Sequence, residues 1–477
     1  MKKLFAIWGI MLLSASFAAY AHVVPEEDAL RKASVFLQSS LSPSKKFSAS
    51  RGMSKLKLQT KGKALKTGAP SCYLFVGEDG KGFVIVAGDD RVANPVLGYS
   101  LSGRVDGADI PDNMKSWLDD YAEQIDYMLE QGGKSKAGEQ QTGVGKAVVG
   151  PLVQTQWNQS KPFNDKCPMG AAGRAPVGCV AVAMGQIMNY HRWPARSNGV
   201  VDYDANLTWV DEDLSDYSYD YDNLDIPQFL FNVAASCRTE FDSYASSSTD
   251  VDAGKGLLES FDYDKGMEYH LREPKYCKST ACNYTETRWD SLLRAELDEH
   301  RPIYYAGSNI KNGHAFVCDG YDDSGYFHFN WGWGGSYDGW FLTSALEPGE
   351  TYYNSNQSVI THIQPNRGNG YWTKSHISGE YSSHSVDAFA DTVRGAYCVE
   401  NYATGEKRYF KECDFVKEKS AEINISFHVF SYADDYDLPD GTYTGYQVYS
   451  VHGGPWTSYT PCDSEMETFG APVKPCV

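Results

Sequence analysis

Val177-Gly178-Cys179-Val180-Ala181-Val182-Ala183-Met184-Gly185-Gln186-Ile187-Met188 is the stretch on which the reading of this chain turns. Val182, Ala183, Gln186 and Ile187 recur at helical spacing, which predicts Cys179 in the first turn of a helix, directly after Gly178. Unpartnered backbone N–H groups and the helix dipole favour thiolate over thiol at such a position. About 135 residues on, Asn312-Gly313-His314-Ala315-Phe316-Val317 places a histidine after a glycine turn and ahead of an apolar, β-prone run. A thiolate needs a base to form and an acid to expel a leaving amine, and one imidazole can serve as both.

Taken singly, both residues have plainer explanations. A cysteine on a helix is usually a small buried hydrophobe, and a histidine before a strand is more often structural than catalytic. Two further pieces tilt the balance. Asn330-Trp331-Gly332-Trp333-Gly334-Gly335 follows His314, and Trp157-Asn158-Gln159-Ser160-Lys161-Pro162-Phe163-Asn164 precedes Cys179. The order Gln, Cys, His, Asn supplies an oxyanion donor in Gln159, a nucleophile in Cys179, a base in His314 and an orienting amide in Asn330. Cysteine first, with histidine and asparagine far downstream, is the order of a papain-like thiol hydrolase.

Residues 147–365 resemble the streptopain family of papain-like cysteine peptidases. The matching pieces are Trp157-Asn158-Gln159, Pro162-Phe163-Asn164, Val177-Gly178-Cys179-Val180-Ala181, Gln186-Ile187-Met188-Asn189-Tyr190-His191, Pro302-Ile303-Tyr304-Tyr305-Ala306-Gly307, Gly313-His314-Ala315-Phe316-Val317 and Asn330 to Gly335. The resemblance implies Cys179 as nucleophile, His314 as its partner and Gln159 as the oxyanion-hole side chain. It implies Trp331 packed by the histidine and Asn330 at the family's asparagine. The Cys-Gly-Ser-Cys-Trp signature of papain and the cathepsins is absent, which excludes the animal and plant branch.

At 477 residues the length suggests about three domains. A hydrophobic content of 42% with 33 tyrosines supports globular cores, and a formal charge of −19 repels nucleic acid and anionic membranes as partners. Lys2-Lys3, the apolar run Leu4 to Ala18 and Ala19-Tyr20-Ala21 read as a secretory signal peptide cut before His22. No later run is long and apolar enough to span a bilayer. Export to the cell surface, periplasm or medium permits disulfides. The 11 cysteines leave at least one unpaired, with Cys179 the natural candidate and Cys318 a buried apolar residue. Cys398, Cys413, Cys462 and Cys476 could form two bridges, and Cys277 with Cys282 another. No spacing suggests zinc, and neither a metal nor an organic cofactor is expected.

The expected architecture is α+β. After the signal peptide (1–21), residues 22–131 offer a helix from Glu26 to Leu37 and a hairpin of Cys72-Tyr73-Leu74-Phe75-Val76 with Phe83-Val84-Ile85-Val86-Ala87. A second helix follows Pro111, with Met114, Trp117, Leu118, Tyr121, Ile125 and Met128 as its apolar stripe. This unit, with Gly88-Asp89-Asp90-Arg91 and Gly98-Tyr99-Ser100, resembles the propeptide of streptopain-like zymogens, which implies an intramolecular inhibitor. Residues 132–146 are small, polar and aperiodic, a linker and cleavage site, with Lys146-Ala147 the bond implied by the resemblance. The papain-like domain spans 147–366. In it, the acidic stretch Ser215 to Asp225 reads as a solvated loop rather than a calcium site, and Ser243 to Thr249 lies where the family has a loop bordering the cleft. Residues 367–477 alternate like half-buried strands over Ala421 to Val429 and Gly441 to Val451, with a turn at Leu438-Pro-Asp-Gly, and suggest a β-sandwich-like accessory domain.

The function these features imply is a secreted cysteine endopeptidase made as a zymogen, acting on protein or peptide substrates. An acyltransferase would keep the same constellation and change the acceptor. A surface-binding or haemagglutinin-type protein with a vestigial protease domain is the reading from another class. The presence of every expected catalytic residue argues against it.

Overall fold

The computed structural model describes residues 22–39, 55–105, 110–130, 132, 143–204, 209–264, 267–272, 286–308, 313–345 and 357–366, followed by residue 406 and a set of strands between 373 and 469. The signal peptide, Cys277, Cys282, Cys462 and Cys476 lie outside the described residues, as does most of the linker.

Helix α1 (Glu26–Ser39) lays Ala29, Ala33, Phe36 and Leu37 against an antiparallel sheet. Its strands are β1 (Leu56–Lys61), β2 (Cys72–Gly77), β3 (Lys81–Ala87) and β4 (Val96–Arg104). β2 and β3 are buried almost end to end, so their continuous apolar runs are covered on both faces. Helix α2 (Asp112–Glu130) follows Pro111 and buries all six residues of its apolar stripe.

The second unit begins at β5 (Ala147–Val149), passes the small hairpin of β6 (Met169–Gly170) and β7 (Gly173–Arg174), and reaches α3 (Cys179–His191). Strands β8 (Val200–Asp204) and β9 (Trp209–Asp213) then pair, followed by α4 (Ile226–Ser236) and α5 (Asp250–Glu259). These three helices share one apolar core. The other layer is built from β10 (Glu268–Arg272), helix α6 (Glu286–Asp298), β11 (Ile303–Ser308), β12 (Gly313–Asp322), β13 (Phe327–Asn330), β14 (Gly339–Phe341) and β15 (Gln357–Thr361). The strands lie in the order β14-β13-β12-β11-β15-β10. β14 pairs with β4 through Trp340↔Tyr99 and Phe341↔Gly98, so the N-terminal sheet continues into this one.

Beyond residue 366 the strands are β16 (Thr373–Ile377), β17 (Ser383–Ala388), β18 (Thr392–Asn401), β19 (Lys407–Val416), β20 (Ile423–Ser426), β21 (Tyr443–Val451), β22 (Thr457–Ser458) and β23 (Glu467–Phe469). The two strands expected around the Leu438 turn do not pair with each other. β20 pairs with β17, whereas β21 pairs with β18, β22 and β23 in a second sheet. β16 runs parallel to β10 and extends the larger sheet. Alternation correctly marks strands but carries no record of which strand is the partner.

The end of the linker is a second difference. Lys146 donates its N–H to Asp323 Oδ1 at 2.7 Å and accepts from Asp323 N at 3.0 Å, and Ala147 already pairs with Asp322 on β12. The bond expected to be cut is therefore held at a sheet rather than lying in a free segment. Cys179 is unbridged, and so are the buried Cys72, Cys167, Cys237 and Cys318. Among the described residues no helix is long and apolar enough to cross a membrane.

Candidate active site

Gly178 caps α3 at φ 94°, a backbone conformation that side chains disfavour, and this turn aims the first helical residue, Cys179, out of the layer. The rest of the helix is buried from Val180 to Met188, which fixes the cysteine on a rigid element. The backbone N–H of Ala315, at the start of β12, donates to Cys179 Sγ at 3.4 Å. The two segments singled out in the sequence therefore meet.

Their electrostatics differ from the expected thiolate. Burial pushes the Cys179 thiol above its ordinary range, against the opposing pull of the N–H groups of Ala315, Val180 and Cys179. Burial also pushes the His314 imidazole below its ordinary value, partly offset by Asp112 of α2. His314 Nε2 is buried and has no hydrogen-bond partner among the described residues. Burial thus favours the uncharged form of each group, against the pull of these N–H groups on the thiol and of Asp112 on the imidazole.

Gln159 is half-buried, and its carbonyl accepts from Val177 N at 2.9 Å, two residues before the cysteine. Asn330 is not joined to His314. Its Oδ1 accepts from Gln186 Nε2 at 3.0 Å and from Gly332 N at 3.1 Å, while its Nδ2 donates to Thr155 O at 2.9 Å. Both oxygen lone pairs are occupied, so the expected orienting amide instead ties α3 to β13 and to the segment before Gln159. Gln186, read from sequence only as a helical position, completes that tie by accepting from Thr155 Oγ1 and Trp157 N.

Trp331 is fully buried and packs against Phe316, Phe329 and Phe341 at ring separations of 4.6, 5.4 and 5.0 Å. It is a core residue of the sheet, one step before a loop whose Gly334 N–H donates to the Trp157 carbonyl at 2.9 Å. Helix α2 reaches this same place. Asn113 Nδ2 donates to the Trp331 carbonyl at 2.7 Å, and the Trp117 ring stands 5.0 Å from Phe329 and 5.9 Å from Phe316. Farther along the helix, Gln124 Oε1 accepts from Ser344 Oγ and Ala345 N at 2.8 and 2.7 Å. Tyr99 of β4 donates to Asp322 Oδ2 at 2.6 Å. None of these N-terminal partners could be identified from local pattern alone.

Cys179 and His314 also border a cavity of about 350 Å³, walled by Val180, the Ser246 to Ser248 loop, Ala306 and Ala315. Among the described residues no group of three His, Cys, Asp or Glu side chains could hold a metal ion. The arrangement offers a nucleophilic sulfur, an imidazole, backbone N–H groups at a helix N-terminus and a side-chain-sized hollow beside them. This is a set suited to acyl transfer once the two neutral groups are allowed to exchange a proton.

Residues 157–341 match the model of the peptidase C10 family, and residues 21–125 match that of the Spi protease inhibitor. The thiol protease/hemagglutinin PrtT of Porphyromonas gingivalis is 31% identical over 331 residues, which cover 61% of this chain and 37% of that protein. This chain thus spans little more than a third of that relative. Streptopain of Streptococcus pyogenes is 29% identical over 408 residues, covering 76% of this chain and 97% of the relative. The fold is shared with a fragment of prointerpain A from Prevotella intermedia, at a TM-score of 0.53 and 24% identity, over 65% of this chain and 99% of that one.

Proposed function

The chain carries a peptidase C10 cysteine-protease domain behind a Spi-type inhibitor domain, and from that premise we propose that it is a secreted endopeptidase held latent by its own N-terminal unit. Residues 1–21 direct export, residues 22–131 inhibit, and cleavage within 132–146 releases the catalytic unit 147–366. Residues 367–477 are an accessory, sandwich-like module.

In the active form Cys179 attacks the peptide carbonyl and His314 protonates the departing amine, then activates water to free the acyl group. The Gln159 side-chain amide and the Cys179 N–H stabilise the oxyanion. Asn330, through Gln186, positions α3 against the Gln159 segment. Trp331 anchors the loop that follows β13 against the Gln159 segment.

The observation that carries this reading is the reach of α2. Its Asn113 and Trp117 engage Trp331 and the aromatic face beneath it, and Asp112, one residue before Asn113, acts electrostatically on His314.

The test is casein hydrolysis by the matured protein with and without a thiol alkylator. Cys179→Ala and His314→Ala should abolish it while leaving a folded precursor, and Gln159→Ala should lose about two to three orders of magnitude. Substantial hydrolysis by Cys179→Ala would overturn the reading.

A further inference from the structure

The cavity beside Cys179 contains a charge that the hydrolytic chemistry does not use. Asp250 stands in the first turn of α5, behind the Thr249 cap, and lines the cavity together with Tyr269, Tyr304 and Ser358. Its Oδ1 accepts from the Tyr304 hydroxyl at 3.0 Å. Its Oδ2 accepts from Ser358 Oγ at 2.6 Å and from the Tyr269 hydroxyl at 3.4 Å. These donors come from β11, β15 and β10, so the carboxylate is clamped in one orientation.

The same charge opposes ionisation of Cys179. A negative group that works against the nucleophile calls for a separate reason to be there. An asparagine would offer one acceptor oxygen and an NH2 donor, so hydroxyls facing the nitrogen would have to turn and accept, at no cost to the thiolate. A carboxylate has about four acceptor sites, and three are taken, which leaves one for a ligand.

We propose that Asp250 is a specificity residue that selects a lysine or arginine side chain flanking the scissile bond. The inference rests on the peptidase reading above. Val180, Ala306 and Ala315 cover the methylene stem while the cationic end meets the carboxylate, the division that long basic side chains adopt. A cavity of about 350 Å³ accommodates such a side chain. The chain's net charge of −19 draws basic segments toward it.

The experiment uses the full chain after maturation and peptide pairs that differ at one position, lysine against norleucine, which share a stem but not a charge. At one position near the scissile bond, kcat/KM should favour lysine by about ten- to a hundredfold, the range of a hydrogen-bonded charge pair. Added salt should erode the preference in the wild type. Asp250→Asn, an isostere that removes the charge and can still pair with the hydroxyls once they reorient, should abolish it. No position favouring lysine, or an unchanged ratio in Asp250→Asn, overturns the proposal while leaving the peptidase intact. If the wild type cleaves no peptide even in reductant, the peptidase reading falls with it.

Discussion

Asn113 Nδ2 meets the carbonyl of Trp331 at 2.7 Å, joining two residues 218 positions apart in sequence. Asn113 is 2% exposed, and its own Oδ1 accepts from Met114 N, so both ends of the amide are engaged. Asn113→Ala removes the donor and leaves the carbonyl to bear a desolvation cost of about 1–3 kcal/mol. The variant precursor should mature with a shorter lag than the wild type. Following loss of the precursor band over time checks this, and an unchanged lag would show that the contact does not restrain activation.

Trp117 places its ring among Tyr305, Phe316, Phe329 and Trp331, all of them on the catalytic side. Trp117→Ala should cost the precursor about 3–5 kcal/mol, as deletion of a buried aromatic does. The matured enzyme no longer contains the residue, so its melting temperature should not move. A comparison of melting curves before and after maturation separates the two cases.

The thiol of the precursor is raised by burial and the imidazole lowered, so the thiolate is scarce at neutral pH. Below the thiol's pKa the reactive fraction falls about tenfold for each pH unit. Iodoacetamide should therefore label the precursor far more slowly than the matured enzyme at pH 6 to 7, and the gap should close as pH rises. Equal labelling rates across that range would contradict the neutral-pair description.

Maturation should not begin at Lys146-Ala147. A protease binds its substrate extended and unpaired, yet Lys146 is bound to Asp323 and Ala147 is paired on β12. The first new N-terminus should fall upstream of residue 143, with trimming toward 147 afterwards. Mass spectrometry over a time course reads the order. Asp323→Ala should hasten the later cut.

A chain ending at residue 366 should hydrolyse a small peptide at close to the full-length rate, since Gln159, Cys179 and His314 all precede that point. It should also melt lower. Removing β16 leaves β10 with an unpaired edge at Glu268 and Tyr269. Cooperative folding without turnover would show that the accessory strands shape the site.

Much of this was readable along the chain. Periodicity placed Cys179 in a first turn and the hairpin at 72–87, because such elements are set by residues a few positions apart. The stripe on α2 was equally plain, but a stripe does not say whose core it enters. Trp117 turned out to face the catalytic aromatics. The amide of Asn330 was expected at the imidazole and is consumed by Gln186, Thr155 and Gly332, partners that only the packed layers bring near. Polar composition suggested a free linker through Lys146, yet its last residues are captured by a strand almost two hundred positions away. The raised thiol has the same origin: the helix end favours thiolate locally, and burial by distant segments reverses the balance.

The pairing of β4 with β14 also bears on how the enzyme is made. The N-terminal hairpins are built from near neighbours and leave the ribosome first, so they can assemble before the catalytic strands exist. They then present a ready edge on which β14, and β13 and β12 behind it, find their register. The proposed cleavage of the linker would detach that template. The released unit would then persist by the height of its unfolding barrier rather than by easy return.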